Sequence, residues 1–166
     1  MKTMRARRAA AIGVADEVWV AAALLQREFP KRPDFTIREI VDRAEREGIH
    51  PELRPGVYVH VVQHSVANRP RNPGRYRMLY ETRPGHRRLF MPGDDWHPDR
   101  RDGRTRPAAD ALPERYRELL EWYDRWSRRH SDAVQDPILA LRGFGREIWH
   151  DQAPDDYVAR LRGGWE

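Results

Sequence analysis

The sequence predicts a mainly helical α+β fold, several helices with one small β-hairpin. Three stretches carry this expectation. "TIREIVDRAEREG" (36–48) holds a full set of helix start and stop signals. "LPERYRELLEWYDRWSRRH" (112–130) keeps an apolar stripe at helical spacing. Between them, "RYRMLYETRPGHRRLFM" (75–91) alternates, turns on Pro84-Gly85 and returns.

The elements follow in order. Residues 1–13 are basic and lack periodicity, so they read as an arm. A first helix is expected over about 15–29, where Val18, Ala22, Leu25 and Phe29 share one face and Pro30 and Pro33 stop the chain. The second opens with Thr36 as N-cap and Glu39 three residues later, a capping box. Ile37, Ile40, Val41 and Ala44 give its apolar stripe, and Gly48 supplies the stop. The third element, "RPGVYVHVVQHSVAN" (54–68), is ambiguous. Pro55 suits a helix start, with Val59, Val62 and Val66 on one face. "VYVHV" also alternates as a strand does, and β-branched residues favour strands. The hairpin follows, with Tyr76, Met78 and Tyr80 at alternate positions. Residues 93–111 show no periodicity and are expected to be a linker. Pro113 suits the first turn of the helix over 112–130, whose stripe is Tyr116, Leu119, Leu120, Tyr123 and Trp126. Two short helices are expected later, one from Asp136 and one from Pro154-Asp155.

Composition bounds the function. The 166 residues suffice for one domain and an appendage, and the 39% hydrophobic content implies a modest core. There is no cysteine, which excludes disulfides and thiolate metal sites. The apolar run "VWVAAALL" is too short to span a bilayer, and the basic start has no apolar core of a secretory signal, so a cytoplasmic protein without membrane contact is expected. Charge is uneven. Residues 1–110 hold 22 Lys/Arg against 15 Asp/Glu, and residues 111–166 hold 9 against 11. Residues 69–88 hold seven arginines and one glutamate. Such a strip is the footprint of a phosphate-binding surface, and a solvated basic face is its plainer alternative.

The order helix, capped helix, third helix and Arg-rich hairpin over roughly 14–92 resembles the winged helix-turn-helix family. "FTIREIVDRA" resembles the first helix of the pair, "GVYVHVVQHSVAN" stands in the place of the recognition helix, and the hairpin stands in that of the wing. The resemblance implies that residues 55–68 are helical and enter the major groove of double-stranded DNA. Gln63 and Asn68 would then pair with adenine edges, and His60 and His64 would contact phosphate or base. Arg69, Arg71, Arg75, Arg83, Arg87 and Arg88 would neutralise phosphates. A winged helix also serves as a protein-docking module, and this alternative stays open.

No metal, cofactor or catalytic residue is expected. His60 and His64 have the spacing of two ligands on a helix, but a third would have to come from as far as His50. Asp94, Asp95, His97, Asp99 and Asp102 cluster in a Pro- and Gly-broken segment that reads as a solvated turn. Restriction-type nuclease chemistry needs a lysine beside acidic residues, and Lys2 and Lys31 lack that setting. Arg125 and His130 have the R-x4-H spacing of small helical ribonucleases, a weaker alternative.

The C-terminal segment 131–166 is aromatic but broken by glycine and proline. Leu139 and Leu141 precede Gly143-x-Gly145. Ile148-Trp149, Asp155-Asp156, Tyr157-Val158, Leu161-Arg162 and Trp165 follow. This pattern resembles the toxin-binding tails of VapB-type antitoxins, which neutralise PIN-domain ribonucleases. The resemblance implies a partner-binding tail in which Phe144, Trp149, Tyr157, Leu161 and Trp165 anchor and Arg146, Arg160 and Arg162 approach an acidic site. The other reading packs the tail on the helix at 113–130. Together these expectations describe a DNA-binding regulator with a partner tail, an antitoxin repressing its own promoter being one form of it. Whether it forms a homodimer is left open.

Overall fold

The computed structural model describes residues 12–135. The chain divides into two units, Met1–Arg128 and Arg129–Glu166. In the second, the described residues 129–135 are helical. The two short helices expected after Asp136 and Pro154, and every proposed partner-binding residue of the tail, lie outside the described residues.

The fold is α+β, mainly helical with one small antiparallel sheet. Helix α1 (Val14–Glu28) is the central element: every residue from Ala15 to Gln26 is buried. The expected stripe of Val18, Ala22 and Leu25 is inside, but burial reaches all round the helix. Phe29 lies just past its end and is exposed. Two acidic residues in the first turn are buried with it. Glu17 pairs with Arg54, whose Nη1 also donates to the carbonyl of Ile12. Asp16 pairs with Arg104 at 2.9 Å, while burial pushes its carboxyl above the usual range against the opposing pull of Arg104.

Helix α2 (Ile37–Glu47) forms as its signals require. Thr36 Oγ1 accepts from the Glu39 amide at 3.2 Å, and Glu39 accepts from the Thr36 amide at 2.8 Å. Gly48 closes the helix in the left-handed region, at φ 61°. Ile40 and Ala44 are buried, with Ile37 and Val41 packed against the core.

Residues 55–64 resolve as helix, whereas 65–68 leave it as a turn in which Val66 bridges Leu79. Pro55 opens helix α3 (Pro55–Val59), which continues as a π turn over His60–His64. The buried positions are Val57 and Val61, while Val59 is exposed and Val62 half-buried. The stripe expected from Val59, Val62 and Val66 was therefore in the wrong phase, with only Val66 inside. Valines occupy both candidate faces, so periodicity could not choose between them, and packing against α1 and α2 did.

The sheet has the order β1-β3-β2, with β1 at Phe35–Thr36, β2 at Leu79–Arg83 and β3 at His86–Leu89. The hairpin turns at Pro84-Gly85, with Gly85 at φ 78°. Strand β1 is too short to carry a pattern, and it pairs Phe35 with Arg87 and Thr36 with His86.

Residues 93–111, expected to be a linker, pack onto the body. Two short 3-10 turns occupy it, Pro98–Arg100 and Ala109–Ala111. Arg100 is fully buried, and a side chain at Gly103 would meet the Arg75 carbonyl oxygen at 1.7 Å. A third turn, Glu114–Tyr116, follows Pro113, and helix α4 (Glu118–Gln135) comes after it. The stripe of Tyr116, Leu119, Leu120, Tyr123 and Trp126 is buried as expected. Tyr123 meets Trp19 edge-on at 5.5 Å and donates to the Phe90 carbonyl at 2.6 Å.

Candidate nucleic-acid interface

The end of α3 organises the region. The last four carbonyls of any helix lack partners within it. Here two buried arginines supply the donors. Arg87 gives Nε to Val61 (3.1 Å) and Nη2 to Val62 (3.2 Å). Arg100 gives Nη2 to Gln63 (2.7 Å) and Nη1 to His64 (2.8 Å). Two cations at a helix C-terminus also suit its dipole. Arg100 goes further, donating to the carbonyls of Arg69, Pro70, Gly74 and Tyr76 at 2.6 to 3.1 Å. Its guanidinium fastens the loop 69–76 to the end of α3. Burial lowers its pKa to about 10, so it stays charged at neutral pH.

This arrangement redistributes the residues expected to touch DNA. Arg87 is fully buried and paired with Glu81 at 2.5 Å, so it is not a phosphate contact. Arg88 is held by both oxygens of Asp94 at 2.6 Å and stacks over Tyr80. Arg69 pairs with both oxygens of Glu81. Asn68 is engaged on both sides of its amide, giving Nδ2 to the Glu81 carbonyl and accepting at Oδ1 from the Glu81 amide, each at 2.9 Å. Gln63 Nε2 donates to the Pro70 carbonyl at 2.6 Å. Both amides brace backbone, and the structure does not present them as base readers.

His60 bonds Ser65 Oγ at 3.0 Å and meets the rings of His64 and Tyr76 at 5.0 and 5.7 Å. Burial, with His64 and Arg54 adding to it, pushes His60 down to about 4, so it is neutral at pH 7. His64 keeps Nδ1 buried with no hydrogen-bond partner among the described residues.

Three of the expected arginines remain at the surface. Arg71 and Arg75 are exposed and form no ion pair among the described residues. Arg83, 62% exposed, reaches Asp34 at 3.5 Å, and Asp34 is shared with His86 and Thr82. The local arginine count therefore overstates the free charge, because four of the seven arginines pair with Glu81, Asp94 or Asp34. Sequence reading also missed the outward face of α3, where Tyr58 is 57% and Val59 40% exposed, and Leu53, just before the helix, is 38% exposed. No pattern in the sequence separates these from the buried Val57 and Val61.

Among the described residues no group of three or more His, Asp or Glu is placed to hold a metal ion. Arg125 and His130 are both exposed. No helix of the described residues is long and apolar enough to cross a membrane. No family model, curated protein or solved structure matches the chain.

Proposed function

We propose that the chain is a DNA-binding regulator whose α3 and the loop after it meet double-stranded DNA. The observation that carries the reading is the pair of exposed arginines, Arg71 and Arg75, without an ion-pair partner among the described residues, on a loop fastened to the end of α3 by Arg100. The order of helices and hairpin, with its resemblance to winged helix-turn-helix proteins, supports it further. The segment 131–166 is proposed on sequence alone to bind a partner protein, with a PIN-domain toxin the partner its resemblance suggests.

The test is a salt titration of duplex binding. Each arginine on a phosphate adds about 0.9 to the slope of log K against log salt. The double variant Arg71→Ala, Arg75→Ala is expected to lower that slope by about 2 for every duplex. Arg88→Ala, whose partner is Asp94, is expected to leave it unchanged. An unaltered slope in the double variant refutes the reading. The exposed Leu53, Tyr58 and Val59 favour a second reading, a protein-docking module, for which no salt-dependent duplex binding is expected.

A further inference from the structure

We infer that α3 reads thymine, with Tyr58 and Val59 meeting thymine 5-methyl groups in the major groove. The inference rests on the duplex-binding reading above and names the chemistry of its specificity. The amides that sequence analysis offers as readers are occupied: Gln63 holds Pro70, and Asn68 holds Glu81 from both sides. His60 is tied to Ser65. The side chains that α3 turns outward are Pro55 in its first turn, then Tyr58 and Val59, and Val62 is half-buried.

In the major groove, base edges offer hydrogen-bonding groups and one apolar group, the thymine methyl. The Val59 side chain and the carbon of the Tyr58 ring match only the last. The occupant is nucleic acid rather than an apolar protein groove because of what borders the face. Gln63 lies four residues on from Val59, and its bond to the Pro70 carbonyl brings Arg71 to the end of that face. Arg71 and Arg75 are exposed cations of the loop that Arg100 holds at the end of α3, and cations there suit phosphates.

The full chain is used to select its tightest duplex from a random pool, and each thymine is then replaced by deoxyuridine, which lacks only the methyl group. Binding is read by fluorescence anisotropy at fixed salt. At one or more positions the affinity is expected to fall about fourfold, the factor that corresponds to burying one methyl-sized group. Tyr58→Ala or Val59→Thr is expected to weaken the thymine duplex and erase the difference, while Arg71→Ala weakens both duplexes equally. Both side chains are exposed, so the folded state is retained, which the helical circular dichroism signal checks. Salt-dependent binding that ignores the uracil substitution overturns the inference and leaves the duplex reading standing. Uracil sensitivity that survives in both α3 variants also overturns it. Absence of duplex binding at low salt overturns the duplex reading, and the inference with it.

Discussion

Replacing Arg100 with alanine is expected to destabilise the fold more than any other single arginine change. Its guanidinium makes six hydrogen bonds, all to backbone carbonyls: Gln63, His64, Arg69, Pro70, Gly74 and Tyr76. Five N–H groups serve the six carbonyls, with one Nη1 hydrogen shared, and at roughly 1.5–3 kcal/mol per charged donor the set amounts to about 7 kcal/mol or more before desolvation. Burying the cation offsets several kcal/mol of that. Truncation also leaves a cavity and a set of carbonyls with no donor, and the net loss is expected to be about 3–5 kcal/mol. In a domain of this size that is a fall in Tm of roughly 10–20 °C. Urea titration of the parent, Arg100→Ala and Arg100→Lys, followed by circular dichroism, measures it. Lysine keeps the charge but has three donors on a point, which cannot span six diverging carbonyls, so it is expected to recover less than half of the loss. A stability within about 1 kcal/mol of the parent for Arg100→Ala refutes the reasoning, because surface arginines behave that way.

Two further outcomes are expected. His60 is held down to about 4 from an ordinary 6.5, so the unfolded chain binds a proton that the folded chain refuses. Its contribution is fully present above pH 6.5 and is lost as pH falls towards 4. With partial exposure, the urea-derived stability is expected to drop by about 1 kcal/mol more between pH 7 and pH 5 in the parent than in His60→Gln, and parallel curves refute this. Glu39 is held down to about 2, chiefly by Arg32, then by its bonds to Thr36, against burial. A depressed carboxylate contributes above its unfolded value of 4.5 and loses that contribution as pH falls through 2. Glu39→Gln is expected to cost roughly 1 kcal/mol at pH 7 and almost nothing at pH 2, and a cost that does not change with pH refutes the assignment.

Local signals in the sequence translated directly into structure. The capping box of Thr36 and Glu39 and the stop at Gly48 involve residues within one or two turns, so no distant contact could overrule them. The stripe of α4 was legible because Leu119, Leu120, Tyr123 and Trp126 recur at helical spacing among charged residues, with Tyr116 in the turn before it. The phase of α3 was not, since valines line both sides. Strand β1, at two residues, has no pattern, and its existence depends on the hairpin it joins. The candidate site was the least legible part. Seven arginines announce positive charge but not its partners, and Glu81, Asp94 and Asp34 become partners only when the hairpin closes. Arg100 sits in a charged, aperiodic run, where a buried arginine leaves no signature.

The interior arginines answer a local shortage of donors. Helix α3 ends in a π turn whose last carbonyls find few backbone donors, Gln63 accepting from the Val66 amide at 3.3 Å, and the loop beyond it contains Pro70 and Pro73, which have no amide hydrogen to give. Acceptors therefore outnumber donors between 61 and 76. A guanidinium brings five N–H groups in one plane and no acceptor, so it is the side chain that best corrects such an imbalance. Arg87 and Arg100 do this from two different elements, and each thereby ties its own element to the end of α3. An Arg-rich segment is then partly a requirement of irregular backbone and partly a surface charge. The two roles separate by substitution: removal of Arg71 and Arg75 acts on binding and its salt dependence while the fold persists, whereas removal of Arg100 acts on the fold itself.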